Sequence, residues 1–193
     1  MFSDSKHEAS GGDCRAWVIV ALGANLGDAV ATLGAAADAL EAQAAGPLLR
    51  SPFYQTTPVD CPAGSPLFVN AVVAFHPRDG LTPESLLDVA QELERQAGRR
   101  PKVLVNEARP LDVDLIDWSG EIRDTPRLVL PHPRACLRRF VLAPLVDLFP
   151  AHRLQRSERT VAELLKSLPE DPALQRIEPV PFPEKPWIVV RPQ

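Results

Sequence analysis

The sequence predicts an α+β fold, a mainly antiparallel sheet with helices packed on one face. Short runs of β-branched and other apolar residues, bounded by glycine or proline, are typical of buried strands. Two longer segments have helical character and end at glycine. The elements follow one another as strand, helix, strand, strand, helix, strand, which is the split β-α-β or ferredoxin-like pattern. We expect the second face of this sheet to be free for a ligand.

The first strand, helix and extended segment are predicted as follows. The run RAWVIVALG (15–23) is apolar and ends at glycine, so we expect a buried strand. A turn at 23–28 leads to alanine-rich residues 29–46, which predict a helix stopped by a Gly-Pro pair. Residues 48–59 are expected to be extended, with Pro52 at an edge or bulge because proline has no N–H for a sheet.

The next strand, helix and strand complete the pattern. The run LFVNAVVAFH (67–76) predicts a strand. The clearest helix spans 81–98, with Thr82 as a plausible N-cap and Pro83 suited to the first helical position. A basic loop then leads to LDVDLIDW (111–118), which has the alternation of a half-buried strand.

The remaining residues predict smaller elements around this core. We expect a short extended piece at 127–133 and helices at 138–150 and 157–168. The last 25 residues, 169–193, contain seven prolines, which favours an extended surface segment. Within it, WIVV (187–190) is expected to pack as an edge strand.

Length and composition are those of one globular domain. The chain has 193 residues, 45% apolar and 24% charged, and we place the domain at 15–168. A flexible tail at 1–14 precedes it, and the proline-rich extension at 169–193 follows. Three widely spaced cysteines without a C-x-x-C motif match neither a disulfide framework nor a zinc site. With no apolar signal region and no stretch of ~20 apolar residues, we expect a cytoplasmic protein.

The charge distribution favours a small anionic ligand. A net charge of -4 argues against a general nucleic-acid or membrane-surface binder. Two local clusters are nevertheless basic, and for any single arginine the simpler interpretation is solvated surface. The clusters contain Arg95, Arg99, Arg100, Lys102 and Arg109, and Arg134, Arg138 and Arg139.

Asp112 and Asp114 are the most unusual residues of the sequence. Side chains alternate along a strand, so both carboxylates lie on one face, with Cα atoms about 6.5–7 Å apart. One interpretation is a solvent-exposed strand face, although aspartate disfavours strands. The other is a Mg²⁺ site, since this ion takes carboxylate and phosphate oxygens. Arg109, just upstream, would then face phosphate near the metal.

These residues resemble a known family, the 6-hydroxymethyl-7,8-dihydropterin pyrophosphokinases of folate synthesis. The resemblance extends from about Val18 to about Pro150. Each matching stretch is a weak signal, but six in the right order are highly specific. The stretches are LGANLGD, FYQTTPV, FVNAVVAF, ELERQAGRR, ARPLDVDLI and LPHPRACLRRFVLAPL.

The resemblance implies a ferredoxin-like fold and transfer of the terminal pyrophosphate of ATP to the pterin hydroxymethyl oxygen, leaving AMP. It implies that Asp112 and Asp114 bind two Mg²⁺ ions, with ATP as co-substrate. Arg99 and Arg109 would then be catalytic, since cations stabilise charge that develops on phosphate.

The resemblance also implies separate pterin and ATP contacts. Phe68 and Phe140 would sandwich the pterin, although core packing is the simpler interpretation of two phenylalanines. Asn70 would bind the pterin ring polar groups, and the backbone at Thr56, Thr57 and Val59 would complete the rim. The implied ATP contacts are Gln91, Glu94, Arg127, His132 and Arg138.

The sequence departs from the family pattern in two loops. Ala24 replaces a usual serine, and residues 99–108 lack a second arginine and a tryptophan. We expect 99–108 to be a lid that closes over Mg-ATP, less completely than in the family.

Two other functions are compatible with the same fold. One is a ligand-binding or regulatory module in which the aspartates are dispensable. The other is a domain that docks a folate-pathway partner through its proline-rich extension. We expect a monomer, with no nucleic-acid or membrane partner.

Overall fold

The computed structural model describes residues 16–99, 107–154 and 157–177, which form a sheet with helices on both sides. The predicted segments at 1–14, most of 99–108, and 187–190 lie outside these residues. The helices are α1 (Ala29–Glu41), α2 (Pro83–Gln96), α3 (Arg139–Leu148) and α4 (Val161–Ser167), with a 3-10 turn at Ala135–Leu137. The strands are β1 (Val18–Ala24), β2 (Leu49–Arg50), β3 (Phe53–Thr56), β4 (Phe68–Phe75), β5 (Asp112–Trp118), β6 (Arg123–Asp124), β7 (Val129–Leu130) and β8 (Gln175–Ile177).

The central sheet has the predicted ferredoxin-like topology. Its strand order is β5-β1-β4-β3-β8, and every pairing is antiparallel. Helix α1 connects β1 to the β2–β3 segment, and α2 connects β4 to β5, as the order of the sequence elements predicts. Strands β6 and β7 form a separate two-stranded sheet.

The break between β2 and β3 falls at Pro52, as predicted. Both strands pair with β4. Pro52 has no N–H, and the Ser51 side chain maintains the pairing beside it. The Val72 N–H donates to Ser51 Oγ and the Ser51 N–H donates to the Val72 carbonyl, both at 2.9 Å. The Ser51 hydroxyl therefore maintains the hydrogen bonding to β4 next to the proline.

The first face of the sheet packs against α1 and α2. Thr82 caps α2 as predicted: the Ser85 N–H donates to Thr82 Oγ1 at 3.2 Å, and Ser85 Oγ accepts the Thr82 N–H in return. Helix α1 is shorter than predicted. It ends at Glu41, and the following residues turn back so that the Ala45 N–H donates to the His76 carbonyl at 2.8 Å.

The second face is less open than the sequence predicted. Helices were expected on one face only, yet α3 and α4 pack on the other face against one end of the sheet. Residues of the sheet in this second core include Ile19, Val72, Ala74 and Ile116. An amphipathic helix must bury its apolar stripe somewhere, and the two C-terminal helices use this surface. The opposite end of the second face remains accessible in the described part of the chain.

Part of the C-terminal extension belongs to the sheet. Residues Gln175–Ile177 form β8, which pairs with β3 at the sheet edge. The many prolines of the extension favoured an extended surface segment. The three residues of β8 lie between two of these prolines, so the composition did not predict the strand. Among the described residues, no helix combines the length and apolar character that crossing a bilayer requires.

Asp117 connects the sheet to the loop between α3 and α4. Its side chain is about 1% exposed, and Asp117 Oδ2 lies 2.9 Å from His152 Nε2. Asp117 Oδ1 is buried without a hydrogen-bond partner among the described residues. His152 is therefore the group that compensates this buried carboxylate.

We predict that His152→Ala lowers the free energy of unfolding by about 2–3 kcal/mol, because it leaves a buried carboxyl group without its hydrogen-bond partner. Denaturant unfolding measures this loss. The double variant Asp117→Asn with His152→Ala removes the charge as well and should lose less. A single variant as stable as the wild type would show that the pair does not support the fold.

Candidate active site

The open end of the second sheet face is a cleft built by three strands. Gly23 of β1 lies opposite Asp112 of β5 and opposite Asn70 of β4. The β3–β4 loop and the start of α3 form the walls. The cleft contains about 660 Å³ of space, which includes the open solvent at its mouth. Lining residues are Ala21, Leu22, Gly23, Thr56, Thr57, Val59, Asp60, Cys61, Phe68, Asn70, Arg109, Asp112, Asp114, Arg138 and Phe140.

Gly23 provides space at the centre of the cleft. A Cβ atom at this position would lie 2.9 Å from Asn70 Oδ1, closer than van der Waals contact allows. It would also lie 3.9 Å from the Asp112 Cβ and from a ring carbon of Phe68. The absence of a side chain at Gly23 therefore lets the acidic and the aromatic sides of the cleft meet.

Asp112 is held between two arginines. Arg99 Nη1 lies 2.9 Å from Asp112 Oδ1, and Arg109 Nη1 lies 3.1 Å from Asp112 Oδ2. All three side chains are largely buried. The two predicted catalytic arginines are thus gathered around one predicted metal ligand. The remainder of the predicted lid, residues 100–106, lies outside the described residues.

Asn25 positions Arg109, and the sequence analysis did not identify this role. The Arg109 N–H donates to Asn25 Oδ1 at 2.7 Å, and the Asn25 N–H donates to the Arg109 carbonyl at 3.1 Å. Asn25 Nδ2 also donates to the Pro66 carbonyl at 3.3 Å. Asn25 therefore links three loops around the cleft. Asn25 lies in the GANLGD segment, which resembles an ordinary turn in the sequence. Its role could be recognised only after the structure placed Arg109 beside it.

Asp114 occupies the deeper position of the acidic pair. Arg138 Nη1 donates to Asp114 Oδ2 at 3.2 Å. Burial and the nearby negative charge of Asp112 together raise the pKa of Asp114 above its ordinary value. The imidazole of His132 is close enough to interact with Asp114, although burial lowers the pKa of His132. The predicted ATP contacts Arg138 and His132 therefore lie next to the predicted metal ligand.

Glu94 supports β5 from behind. Its Oε1 accepts the Val113 N–H at 2.9 Å, and its carboxylate is ion-paired with Arg99. Burial raises the pKa of Glu94, although the bond from Val113 and the charge of Arg99 oppose the shift. In the described structure this carboxylate therefore interacts with β5 and Arg99.

Gln91 and Arg127 lie outside the cleft. Gln91 is exposed on α2, and Arg127 is paired with Asp88 of the same helix at the surface. Neither lines the cleft, and Glu94 and His132 do not line it either; of the five predicted ATP contacts, Arg138 is the lining residue.

The predicted pterin contacts come from three parts of the cleft lining: strand β4, the end of β3 with the loop after it, and the start of α3. Phe68, Phe140, Thr56, Thr57, Val59 and Asn70 all line the cleft. Asn70 Nδ2 donates to Thr56 Oγ1 at 2.8 Å, and both residues are buried. The amide nitrogen therefore has a protein partner.

The chain matches the family model of 7,8-dihydro-6-hydroxymethylpterin-pyrophosphokinase (HPPK) over residues 19–150. That segment contains the whole cleft described above. The chain belongs to the HPPK family.

Two bacterial relatives match this chain over most of their length, and a bifunctional plant relative matches it over about a quarter of its length. The 2-amino-4-hydroxy-6-hydroxymethyldihydropteridine pyrophosphokinase of Pseudomonas aeruginosa is 40% identical over 153 residues, covering 79% of this chain and 91% of the relative. The protein of that name from Porphyromonas gingivalis is 39% identical over 136 residues, covering 69% and 90%. A folate synthesis bifunctional protein of Arabidopsis thaliana is 34% identical over 131 residues, covering 68% of this chain and 26% of the relative.

Solved structures support the fold. Plasmodium falciparum HPPK-DHPS with SDX-DHP matches with a TM-score of 0.61 at 14% sequence identity. The match covers 81% of this chain and 45% of that one, so this chain spans less than half of the bifunctional protein. At this identity the likeness concerns the fold alone.

The donor set of this HPPK chain fits magnesium that shares its coordination with a substrate. Asp112 and Asp114 provide hard oxygen ligands on one strand face. Within the described ranges no cluster of three or more His, Cys, Asp or Glu side chains forms a complete cage. Magnesium commonly takes one or two carboxylates and fills its other positions with water and phosphate oxygens, which matches this pair.

We predict that Gly23→Ala pushes the Asn70 amide out of place and lowers the free energy of unfolding by about 1–2 kcal/mol, because the new methyl group overlaps Asn70 Oδ1. The side-chain amide signal of Asn70 by NMR and denaturant unfolding measure both effects.

The control for this prediction removes the overlap. In an Asn70→Ala background the methyl group meets no amide, so Gly23→Ala should cost clearly less. Equal costs in both backgrounds would contradict the proposed contact between these positions.

Proposed function

We propose that this chain transfers a pyrophosphate group from ATP to 6-hydroxymethyl-7,8-dihydropterin, giving AMP and the pterin pyrophosphate for folate synthesis. One observation carries the proposal. A single cleft joins an acidic pair surrounded by arginines to a polar and aromatic pocket for a flat heterocycle. The names of its relatives, which describe this enzyme, agree with that chemistry.

On the phosphate side, Asp112 and Asp114 would hold two magnesium ions, which supply positive charge to the phosphate oxygens. Arg99 and Arg109 already lie at Asp112, so their guanidinium groups are within reach of a polyphosphate beside it. A guanidinium matches phosphate oxygens in geometry and keeps its charge, as stabilisation of the transition state requires.

The reaction would be a single displacement. The pterin hydroxyl oxygen attacks the β-phosphorus of ATP and loses its proton. The bond between the β-phosphorus and the oxygen that bridges it to the α-phosphorus breaks, and AMP leaves with the electron pair. No covalent enzyme intermediate is needed, so the protein contributes position and electrostatic stabilisation.

On the pterin side, Phe68 and Phe140 would stack against the ring faces. The Arg138 guanidinium carbon lies 5.3 Å from the centroid of the Phe140 ring, so this aromatic wall is itself oriented by a residue of the acidic side. Asn70 would bind ring polar groups, and the backbone of Thr56, Thr57 and Val59 would form the rim.

The remaining proposed ATP contacts have unequal support. His132 and Arg138 lie beside Asp114, and Glu94 lies behind Asp112, where it orients Arg99. Gln91 on the exposed surface of α2, and Arg127, which pairs with Asp88 of that helix, are proposed contacts outside the cleft lining. The proposal also includes a single domain, predicted at 15–168 and extended by β8 (Gln175–Ile177), a monomeric state and a cytoplasmic location.

The assay of the proposal combines purified protein with ATP, magnesium and the hydroxymethyldihydropterin. We expect AMP and a pterin pyrophosphate, separated by chromatography, and loss of both products when a chelator removes magnesium. Formation of ADP would indicate an ordinary kinase. Ligand binding without either product would favour the regulatory module.

We predict that Asp112→Asn and Asp114→Asn each lower kcat by about a thousandfold, the scale of losing a principal electrostatic group in an active site. Asp112→Asn should also lose about 1 kcal/mol of stability, because two arginines lose a charged partner. Asp114→Asn should not, because it relieves repulsion between the carboxylates. Initial rates and denaturant unfolding measure these effects.

A matched control is Asp124→Asn, which removes an exposed carboxylate from strand β6. Its activity should equal that of the wild type. Near-normal activity in either cleft variant would eliminate the assignment of the metal ligands.

A further inference from the structure

Residues 168–177 of the C-terminal extension run from the start of α3 to the edge of the sheet. Arg139 donates through Nε to the Pro169 carbonyl at 2.7 Å and through Nη2 to the Leu168 carbonyl at 3.0 Å. Arg139 immediately precedes Phe140, which lines the cleft. The extension is therefore attached to the helix start that carries one wall of the pterin pocket.

Asp171 attaches the same segment to the opposite wall. The Thr57 N–H donates to Asp171 Oδ2 at 3.0 Å, and the Thr57 hydroxyl donates to Asp171 Oδ1 at 2.9 Å. The Ala173 N–H donates to the same Oδ1 at 2.9 Å. Both oxygens of one carboxylate thus bind Thr57, through its backbone and its side chain.

The charge state of Asp171 suits this contact. Partial burial opposes ionisation, but the hydrogen bonds from Ala173 and Thr57 outweigh it and keep the pKa of Asp171 below its ordinary value. Hydrogen bonds to an ionised acceptor are stronger than neutral ones, so this contact is suited to hold a loop.

Thr57 is the residue at which β3 leaves the sheet. Strand β3 ends at Thr56, and the loop that follows contributes Thr57, Val59, Asp60 and Cys61 to the cleft. Beyond Asp171, β8 pairs with β3 and places Gln175 opposite Gln55. The extension thus pairs with the outer edge of β3, and its Asp171 binds Thr57, the first residue of the β3–β4 loop.

We propose that Asp171 is a positioning residue for the pterin pocket, which holds Thr57 and the cleft-lining loop in the geometry that binds the heterocycle. The proposal rests on the proposed function for the identity of that ligand. It extends the substrate-binding unit of this chain to Asp171, which lies in the C-terminal extension.

The physical reason is preorganisation. If a loop becomes ordered only when its ligand binds, the entropy cost of this ordering weakens the affinity for the ligand. The hydrogen bonds of Asp171 order Thr57 before binding. Thr57 follows β3, which β1 and β4 separate from the β5 strand of Asp112 and Asp114. Removal of these hydrogen bonds should therefore weaken pterin binding selectively and leave the phosphate side intact.

The test compares Asp171→Ala and Asp171→Asn with the wild-type full-length chain. Calorimetry would measure the Kd of the hydroxymethyldihydropterin and, separately, of Mg-ATP, and steady-state assays would separate KM from kcat. For Asp171→Ala we expect a pterin Kd and KM about tenfold higher, equivalent to about 1.4 kcal/mol. The Mg-ATP Kd and kcat should change by less than about twofold, a difference of only a few tenths of a kcal/mol.

The conservative variant and a neighbouring residue provide controls. Asp171→Asn keeps an oxygen acceptor for one of the two Thr57 bonds, so it should recover part of the pterin affinity. Glu170→Ala removes the adjacent, exposed carboxylate and should leave all the constants unchanged. Hydrogen exchange at the Thr57 amide should accelerate in Asp171→Ala, which tests the contact independently of any ligand.

If the wild-type chain forms AMP, two results would contradict the positioning role of Asp171 without contradicting the proposed function. One is an unchanged pterin Kd in Asp171→Ala. The other is an equal loss of pterin and ATP binding, which indicates general destabilisation. A wild-type chain that binds no pterin and forms no AMP would instead overturn the proposed function and this proposal with it.

Discussion

Two carboxylates two residues apart on one strand face are the constraint around which the cleft is arranged. Asp112 and Asp114 repel each other, and partial burial makes their charges more costly. The fold offsets this with Arg99 and Arg109 at the first carboxylate and Arg138 at the second. These arginines come from the end of α2, from the loop before β5 and from the start of α3, so several connections converge on one short strand.

The second sheet face changes character along its length. At one end Ile19, Val72 and Ile116 pack against α3 and α4. Toward the other end, β1 continues with Ala21 and Gly23 on the same face, and the neighbouring strands present polar side chains. The helices therefore cover the apolar end, and small residues leave a cleft at the polar end. One surface thus serves both as a core and as a binding site.

Local sequence features predicted the elements that depend on local chemistry. The Thr82 cap, the break at Pro52 and the shared face of the aspartates follow from residue type and strand periodicity. The coverage of the second face was not predictable in this way, because an amphipathic helix does not specify which surface it will cover. The contacts of Asn25 and Asp171 involve partners 84 and 114 residues away in the sequence. Local sequence patterns do not reveal contacts over such separations.

Ion pairs connect the elements that surround the proposed phosphate side of the cleft. Among the described residues, Arg99 pairs with Asp112 and Glu94, Arg109 pairs with Asp112, and Arg138 pairs with Asp114. Under the proposed function, metal ions and a polyphosphate chain would also bring opposite charges. Their entry would exchange ion pairs within the protein for pairs with the ligands and would bring little net charge into the partly buried site. Glu94 would remain behind β5, where it holds Arg99 close. The ion pairs that stabilise the cleft thus involve the residues that would organise its proposed ligands.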